Sequence, residues 1–263
     1  PLFSDYDRSK KIDRLAQYAL NAADQAVENA GLDMDSMGNR TGVIIGTGLG
    51  GIFFAESQLA RLFNNGERSV SPVTVPQVNP NAVSTLIARK WQCYGPNMSI
   101  CTACASSAHA IGSAMDQLRL NRVDRMIVGG VETPLMPLTF AGFDALRVMS
   151  VQNEFPQQSC RPFDEHRDGF VMGEGAAILI LEKESLAKKR GTMIYAEIAG
   201  YGASNGAWHS VSPMESGKDA AKAILIALND AQLKSSDIQY INAHGTSTIL
   251  GDKIELNAIN RLF

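Results

Sequence analysis

The chain has 263 residues, of which 45% are hydrophobic and 19% charged. That balance suits a globular protein with a sizeable buried core in one large or two small domains. A formal net charge of −3 excludes the overall basic excess of a dedicated nucleic-acid binder. No apolar run is long enough to span a membrane, and the N-terminus lacks the basic-then-apolar pattern of a signal peptide. Four cysteines are too few for a disulfide framework in a chain of this length, so a reduced, cytoplasmic protein with free thiols is expected.

Taken in chain order, residues 10–30 carry apolar side chains at helical spacing, and Gly31 supplies a stop. The chain begins with proline and enters this helix almost at once, so it reads as the middle of a longer protein. Residues 41–46 form a short apolar strand ending in glycine, followed by a helix over 52–63. After a Pro/Val-rich stretch at 71–80, a helix is expected from Asn81 to about Trp91. Residues 97–101 then read as a strand, 105–120 as a helix and 125–131 as a buried strand, a β-turn-α-β unit of the parallel-sheet type. Residues 176–182 and 194–203 read as neighbouring strands, 219–232 as an apolar helix and 238–242 as a strand. A last helix is expected over 252–263. The class is α/β, with no repeat short enough for a solenoid.

Cys104 falls at the expected strand-to-helix junction. Free amides and the positive end of a helix dipole there favour thiolate over thiol, and the same amides can stabilise an oxyanion when a thioester carbonyl is attacked. The small neighbours Ala103, Ala105, Ser106 and Ser107 leave room for a substrate. A buried structural cysteine is the other reading. Cys101-Thr-Ala-Cys104 also has CxxC spacing, but no second pair of ligands accompanies it for zinc. His244, in Asn242-Ala-His-Gly-Thr-Ser-Thr248, follows an expected strand, where open α/β sheets bind ligands. It can donate to a developing charge while Thr246 and Thr248 bond a substrate amide, or it is a structural loop histidine. Gly46-Thr-Gly-Leu-Gly-Gly51 lacks both the lysine of a P-loop and dinucleotide-fingerprint spacing.

These segments, with Arg161-Pro-Phe-Asp-Glu-His-Arg-Asp-Gly-Phe170, Gly173-Glu-Gly-Ala176 and the Gly251-Asp252 pair, resemble the β-ketoacyl-ACP synthases. Their order is that family's order, and the resemblance extends over nearly the whole chain. It looks closest to the discrete bacterial elongating (KAS II-type) enzymes and the type II polyketide ketosynthases. The resemblance implies a thiolase-like layered fold (α-β-α-β-α), incomplete in this chain. Residues 1–263 would be a synthase-domain fragment: an N-terminal thiolase half without its first strand, and the start of the C-terminal half from about 183.

It also implies that Cys104 takes an acyl chain from the phosphopantetheine of an acyl carrier protein and that His244 assists malonyl decarboxylation. Thr246 and Thr248 would hold pantetheine, Leu49 would gate the acyl pocket and Phe143 would line it. Ser212 closes a loop, 204–212, at the pantetheine entrance; its His209 reads as solvent-exposed. Arg8, Lys10, Lys11, Arg68 and Arg161 match a basic rim for the acidic carrier, which complementarity requires. Asp164, Arg167, Asp168 and Glu174 are expected to hold loops in place, His166 to be exposed, His109 to pack in its helix and Cys101 to lie in the core.

No metal and no resident cofactor is implied, and the partners implied are the carrier protein and a homodimeric or ketosynthase-like heterodimeric subunit. The family's second catalytic histidine, in a downstream Gly-His pair, has no counterpart among His109, His166, His209 and His244. Impaired condensation by this chain alone is therefore expected. The alternatives are a non-catalytic partner subunit like a chain-length factor, and a CoA-using acyltransferase of the thiolase superfamily.

Overall fold

A computed structural model of the protein describes residues 12–209 and 212–263. Its strands are β1 (Thr41–Gly46), β2 (Asn97–Ile100), β3 (Arg125–Glu132) and β4 (Gly175–Glu182). Its helices are α1 (Arg14–Asn29), α2 (Ile52–Asn65), α3 (Thr74–Val78), α4 (Ala82–Lys90), α5 (Ser106–Arg119), α6 (Pro137–Ala145), α7 (Glu184–Lys189), α8 (Lys218–Ala231) and α9 (Ile249–Ile259). Two compact units divide them: one runs to Met136 and resumes over Gly173–Ala196, the other comprises Pro137–Met172 and Glu197–Phe263.

The first unit is built on a single sheet of order β2-β1-β3-β4. β1 pairs in parallel with β2 and β3, and β4 closes the edge antiparallel to β3. Every residue of β1 is buried, because a parallel strand covered on both faces is apolar along its length. Alternation still sorts the side chains by face. Val43, Ile45, Ile127 and Val131 point to one core, where α1 and α4 contribute Leu15, Ala19, Leu20, Ala23, Val83 and Ile87. Ile44, Met126 and Val128 point to the other, under Ala110 and Ala114 of α5. The α-β-α sandwich so formed agrees with the α/β class expected from sequence.

A charged staple ties the strand ends of this unit together. Asp124 accepts from Arg40 Nε at 2.7 Å and pairs with Lys183 Nζ at 2.7 Å, while Lys183 also donates to Asn121. These residues lie just before β1, before β3 and after β4.

In the second unit, α8 and α9 pack through small residues. A Cβ on Gly217 would lie 2.7 Å from Ala258 N. Residues 197–203 run along α8, with Gly200 and Gly202 so close that added Cβ atoms would meet Ala227 O at 2.5 Å and Ala223 O at 2.2 Å.

Two expected strands are corrected by the structure. Residues 194–203 do not pair with β4, and residues 238–242 join no ladder. The amide of Tyr201 donates instead to Asp230 Oδ2 at 2.8 Å, a side chain of α8. Apolar alternation specifies an extended chain but not the edge it pairs with. Besides α3, two helices have no counterpart in the sequence reading, the first being α6, whose run of apolar residues has no clear amphipathic face. The other is α7, which is too short for periodicity to show. The Pro/Val-rich stretch at 71–80 contains α3, and α1 begins at Arg14 and ends before Gly31, which adopts a positive φ of 63°.

Candidate functional site

The turn carrying Cys104 is stitched by one hydroxyl. Ser106 Oγ accepts from Thr102 N at 2.8 Å and donates to Ala103 O at 2.6 Å, and Ser106 itself is buried. The turn drives Ala103 to a φ of 50°, a left-handed conformation that costs an alanine about 1–2 kcal/mol. Thr102 Oγ1 lies 2.8 Å from Nδ1 of His109, so that histidine holds the loop as well as packing in α5. Cys104 is exposed, two residues before the first residue of α5. That excludes a buried structural thiol and sets Cys104 in the chain directly before Ala105, the N-cap of α5. Cys93 is the buried thiol, pushed up to about 12 by burial.

The sheet is shaped to receive this turn. Gly46 and Gly130 are register partners on β1 and β3. A Cβ on Gly46 would sit 2.4 Å from Ser106 C, and one on Gly130 would sit 1.8 Å from Ser107 Oγ. The first turn of α5 therefore rests directly on backbone.

Beside it runs the loop after β1. Glu132, at the end of β3, accepts from Gly48 N at 2.6 Å, Leu49 N at 3.1 Å and Thr47 Oγ1 at 3.4 Å. Burial raises its pKa above the ordinary carboxylate value, against the lowering effect of those donors. Cys101 Sγ donates to Gly48 O at 3.3 Å. Cys101 is exposed, which corrects its expected place in the core: it stands past the last paired residue of β2, where the chain leaves the sheet. Leu49 is 38% exposed.

The turn carrying His244 lies in the second unit and is held by carboxylates. Glu255 of α9 accepts from His244 N at 2.6 Å and Gly245 N at 2.8 Å. Asp252, 1% exposed, accepts from Ser247 N at 3.0 Å and Phe163 N at 2.7 Å and pairs with Arg167 Nε at 3.3 Å. Arg167 also donates to the carbonyls of Asp164 and Ile249, at 2.8 and 2.9 Å. Ser247 is wholly buried with a φ of 67°, and its hydroxyl accepts from Arg161 N at 3.0 Å. The hydroxyls of Thr246 and Thr248 stand 2.9 Å apart, and Thr248 Oγ1 caps α9 by accepting from Gly251 N. The His244 side chain is exposed.

Phe143 of α6 meets Phe170 edge-on at a centroid distance of 5.2 Å. Ser212 is exposed, its amide donating to Nδ1 of the exposed His209 at 3.0 Å. His166 is exposed beside Glu165 at 3.3 Å. Glu174 accepts from Leu135 N and pairs with Arg14 at 2.5 Å.

Arg68 is exposed. Arg161 is half-buried, its Nε shielded from solvent without a partner among the described residues. It contributes, after the Ser150 hydroxyl, to holding Asp168 below the usual carboxylate range. Arg8, Lys10 and Lys11 lie outside the described residues. The first unit thus carries Cys104, Leu49 and Arg68, and the second carries His244, Thr246, Thr248, Phe143, Ser212 and Arg161. Among the described residues, no cluster of three or more His, Cys, Asp or Glu side chains is placed to hold a metal. Among the described residues, no helix is long and apolar enough to cross a membrane.

Sequence reasoning missed Glu132 and Glu255. Each is a single acidic residue at the end of a strand or within a helix, with nothing local to mark the amides it meets.

A Cys-bearing turn seated on paired glycines of two parallel strands is thus set within a mixed α/β fold. Residues 1–187 match the family described as Beta-ketoacyl synthase, N-terminal domain, and residues 195–263 its C-terminal domain. The chain belongs to the β-ketoacyl synthase family. It is 42% identical over 260 residues to 3-oxoacyl-[acyl-carrier-protein] synthase 2 of Staphylococcus aureus (strain N315), covering 98% of this chain and 63% of that protein. The protein of the same name from Vibrio cholerae is 41% identical over 254 residues, covering 96% of this chain and 61% of that one.

Among solved structures, a β-ketoacyl synthase from Burkholderia phymatum STM815 superposes with a TM-score of 0.91 at 35% identity, covering 100% of this chain and 65% of its own. A type II polyketide ketosynthase complex titled AntDE:AntF, with its acyl carrier protein, gives 0.91 at 36% identity, covering 98% of this chain and 65% of its own. The chain therefore spans a little under two thirds of the length of these relatives.

Proposed function

We propose that this chain carries the acyl-accepting centre of a β-ketoacyl-ACP synthase, which condenses an acyl thioester with malonyl-ACP in fatty acid or polyketide synthesis. The observation that carries the reading is the exposed Cys104 on a turn pinned by Ser106 and seated on Gly46 and Gly130. The Cys104 thiolate attacks the thioester carbonyl, the bond to pantetheine sulfur breaks, and the released thiolate takes a proton. The extending malonyl thioester then loses carbon dioxide. Its enolate attacks the acyl carbonyl on Cys104, forming the new carbon–carbon bond and returning the thiolate. His244 donates its imidazole N–H to the developing thioester oxyanion, and the hydroxyls of Thr246 and Thr248 bond the pantetheine amides.

The substrate arrives on the phosphopantetheine of a carrier protein, so the reading calls for no resident cofactor or metal. Leu49 and Phe143 contact the acyl chain, and Ser212 borders the pantetheine entrance. Arg68 and Arg161 offer positive charge to an acidic carrier, a role the reading extends to Lys10 and Lys11. The setting is cytoplasmic and the assembly a dimer. Support for a carrier protein and a ketosynthase-like partner comes from solved relatives titled as complexes of these kinds.

The test is intact mass after incubation with acyl-ACP, beside Cys104→Ala. An acyl adduct lost in the variant supports the reading, and absence of an adduct on the wild type sinks it. A malonyl-ACP chase shows whether the histidines present suffice for condensation. A second reading, a non-catalytic partner subunit, is favoured by the likeness to a ketosynthase and chain-length-factor complex from Xenorhabdus doucetiae, with a TM-score of 0.79 at 29% identity. It predicts that Cys104→Ala leaves product formation by the partner unchanged.

A further inference from the structure

The loop Thr47–Gly51 is tied down from two sides by groups with no part in the reaction derived above. From β3, the Glu132 carboxylate takes the amides of Gly48 and Leu49 and the Thr47 hydroxyl. From the end of β2, Cys101 Sγ donates to the carbonyl of Gly48 at 3.3 Å. Thr47 Oγ1 in turn accepts from Gly50 N at 3.1 Å, and Thr47 N donates to Ile100 O at 3.1 Å. Both faces of the Gly48–Leu49 backbone are therefore engaged, while the Leu49 side chain is left 38% exposed.

The loop abuts the nucleophile turn: a Cβ on Gly48 would lie 3.5 Å from Ala103 O, one residue before Cys104. The backbone that carries Leu49 is therefore fixed against the turn that carries Cys104. A carboxylate kept half-buried and raised in pKa by burial is an unfavourable group to place there unless its acceptors are used.

We propose that Glu132 and Cys101 are positioning residues that fix Leu49 beside the acyl group carried on Cys104, and that this clamp sets the enzyme's preference among acyl chain lengths. The inference rests on the proposed acyl-accepting role of Cys104 and on the proposed contact of Leu49 with the acyl chain. Glu132 supplies most of the constraint, through three contacts. Cys101 sets the tilt of the Gly48 peptide through one weak sulfur donor.

The experiment compares wild type, Glu132→Gln, Glu132→Ala, Cys101→Ala and Cys101→Ser at the protein's natural length. Each is incubated with a short and a long straight-chain acyl pantetheine thioester, and Cys104 acylation is followed by mass. Site-resolved iodoacetamide labelling of Cys104 reports the thiol itself. The expected result is a change of about tenfold in the ratio of short-chain to long-chain rates for Glu132→Ala, the scale of a misplaced methylene contact. A smaller change in the same sense is expected for Glu132→Gln and Cys101→Ala. Cys101→Ser, which keeps a donor for Gly48 O, restores the wild-type ratio.

A purely structural role slows both thioesters and iodoacetamide labelling together and leaves the ratio where it was, which overturns the proposal. Should Glu132→Ala fail to fold, an unmoved ratio in both Glu132→Gln and Cys101→Ala overturns it equally. Failure of wild type to accept either thioester defeats the acyl-accepting reading itself, and the clamp with it. Wild-type acylation with unmoved ratios in the variants defeats the clamp alone.

Discussion

Gly46 and Gly130 stand side by side on neighbouring parallel strands, and the space that their missing Cβ atoms would occupy is filled by Ser106 and Ser107. At Gly46 the obstruction is backbone: an added Cβ would come within 2.4 Å of Ser106 C and 2.5 Å of Ser106 O. Gly46→Ala is therefore expected to cost about 1–3 kcal/mol and to slow thioester capture by Cys104. At Gly130 the obstruction is only the Ser107 side chain, at 1.8 Å to Oγ and 2.8 Å to Cβ. Ser107→Gly should recover Gly130→Ala but not Gly46→Ala. Urea midpoints with Cys104 labelling rates decide it, and equal recovery of both would show that the seat is not built this way.

Asp252 answers two backbone amides and a guanidinium from a site 1% exposed to solvent. Asp252→Ala leaves the Arg167 charge without its carboxylate and the amides of Ser247 and Phe163 without an acceptor. The expected loss is about 3–5 kcal/mol. Asp252→Asn keeps the shape and one acceptor, so it should fall short of that loss in chemical denaturation.

Arg40 and Lys183 hold the Asp124 carboxyl well below the usual carboxylate range, the Arg40 hydrogen bond acting most strongly. A depressed folded-state value means that this group's stabilisation is present above the unfolded pKa. It is lost as pH falls from about 4 through the folded value. Because the ion pairs are partly exposed, screening limits the contribution to about 1 kcal/mol. Asp124→Asn should therefore be destabilised at neutral pH, and the gap from wild type should close in acid and narrow in high salt. A gap that stays constant from pH 7 to strong acid would exclude the charge mechanism.

The four thiols should separate by environment. Burial pushes Cys93 up to about 12, so at neutral pH it remains a thiol and is shut off from reagent. Cys101, Cys104 and Cys160 are exposed. Residue-resolved alkylation of the native protein should spare Cys93 until denaturant is added. Labelling of Cys93 at the rate of Cys160 would contradict its place in the core.

Much of the first unit was legible in the sequence. The apolar runs at 41–46 and 125–131 are strands of a covered parallel sheet, and the helix over 105–120 is α5 to within a residue at each end. Cys104 was legible because strand, small residues and helix adjoin in the chain. The sequence carries the strand through Cys101 and so into the core, whereas the chain leaves the sheet at Ile100. The extended segments 194–203 and 238–242 kept their strand-like patterning without strand pairing. Their pattern declares a face to bury, and α8 takes that face for the first of them.

Local features are written in the chain directly: most of the helical and extended segments, where Cys104 and His244 fall relative to them, and the order of motifs that marks the family. Those follow from side-chain periodicity and turn chemistry, which act over a few residues. Folding of the chain is what sets Gly46 beside Gly130, closes Glu132 and Cys101 on the loop of Leu49, and brings Glu255 and Asp252 to the His244 turn. Each joins residues from different elements, and a buried acceptor finds its donors through the packing of the folded chain, which short-range pattern does not encode.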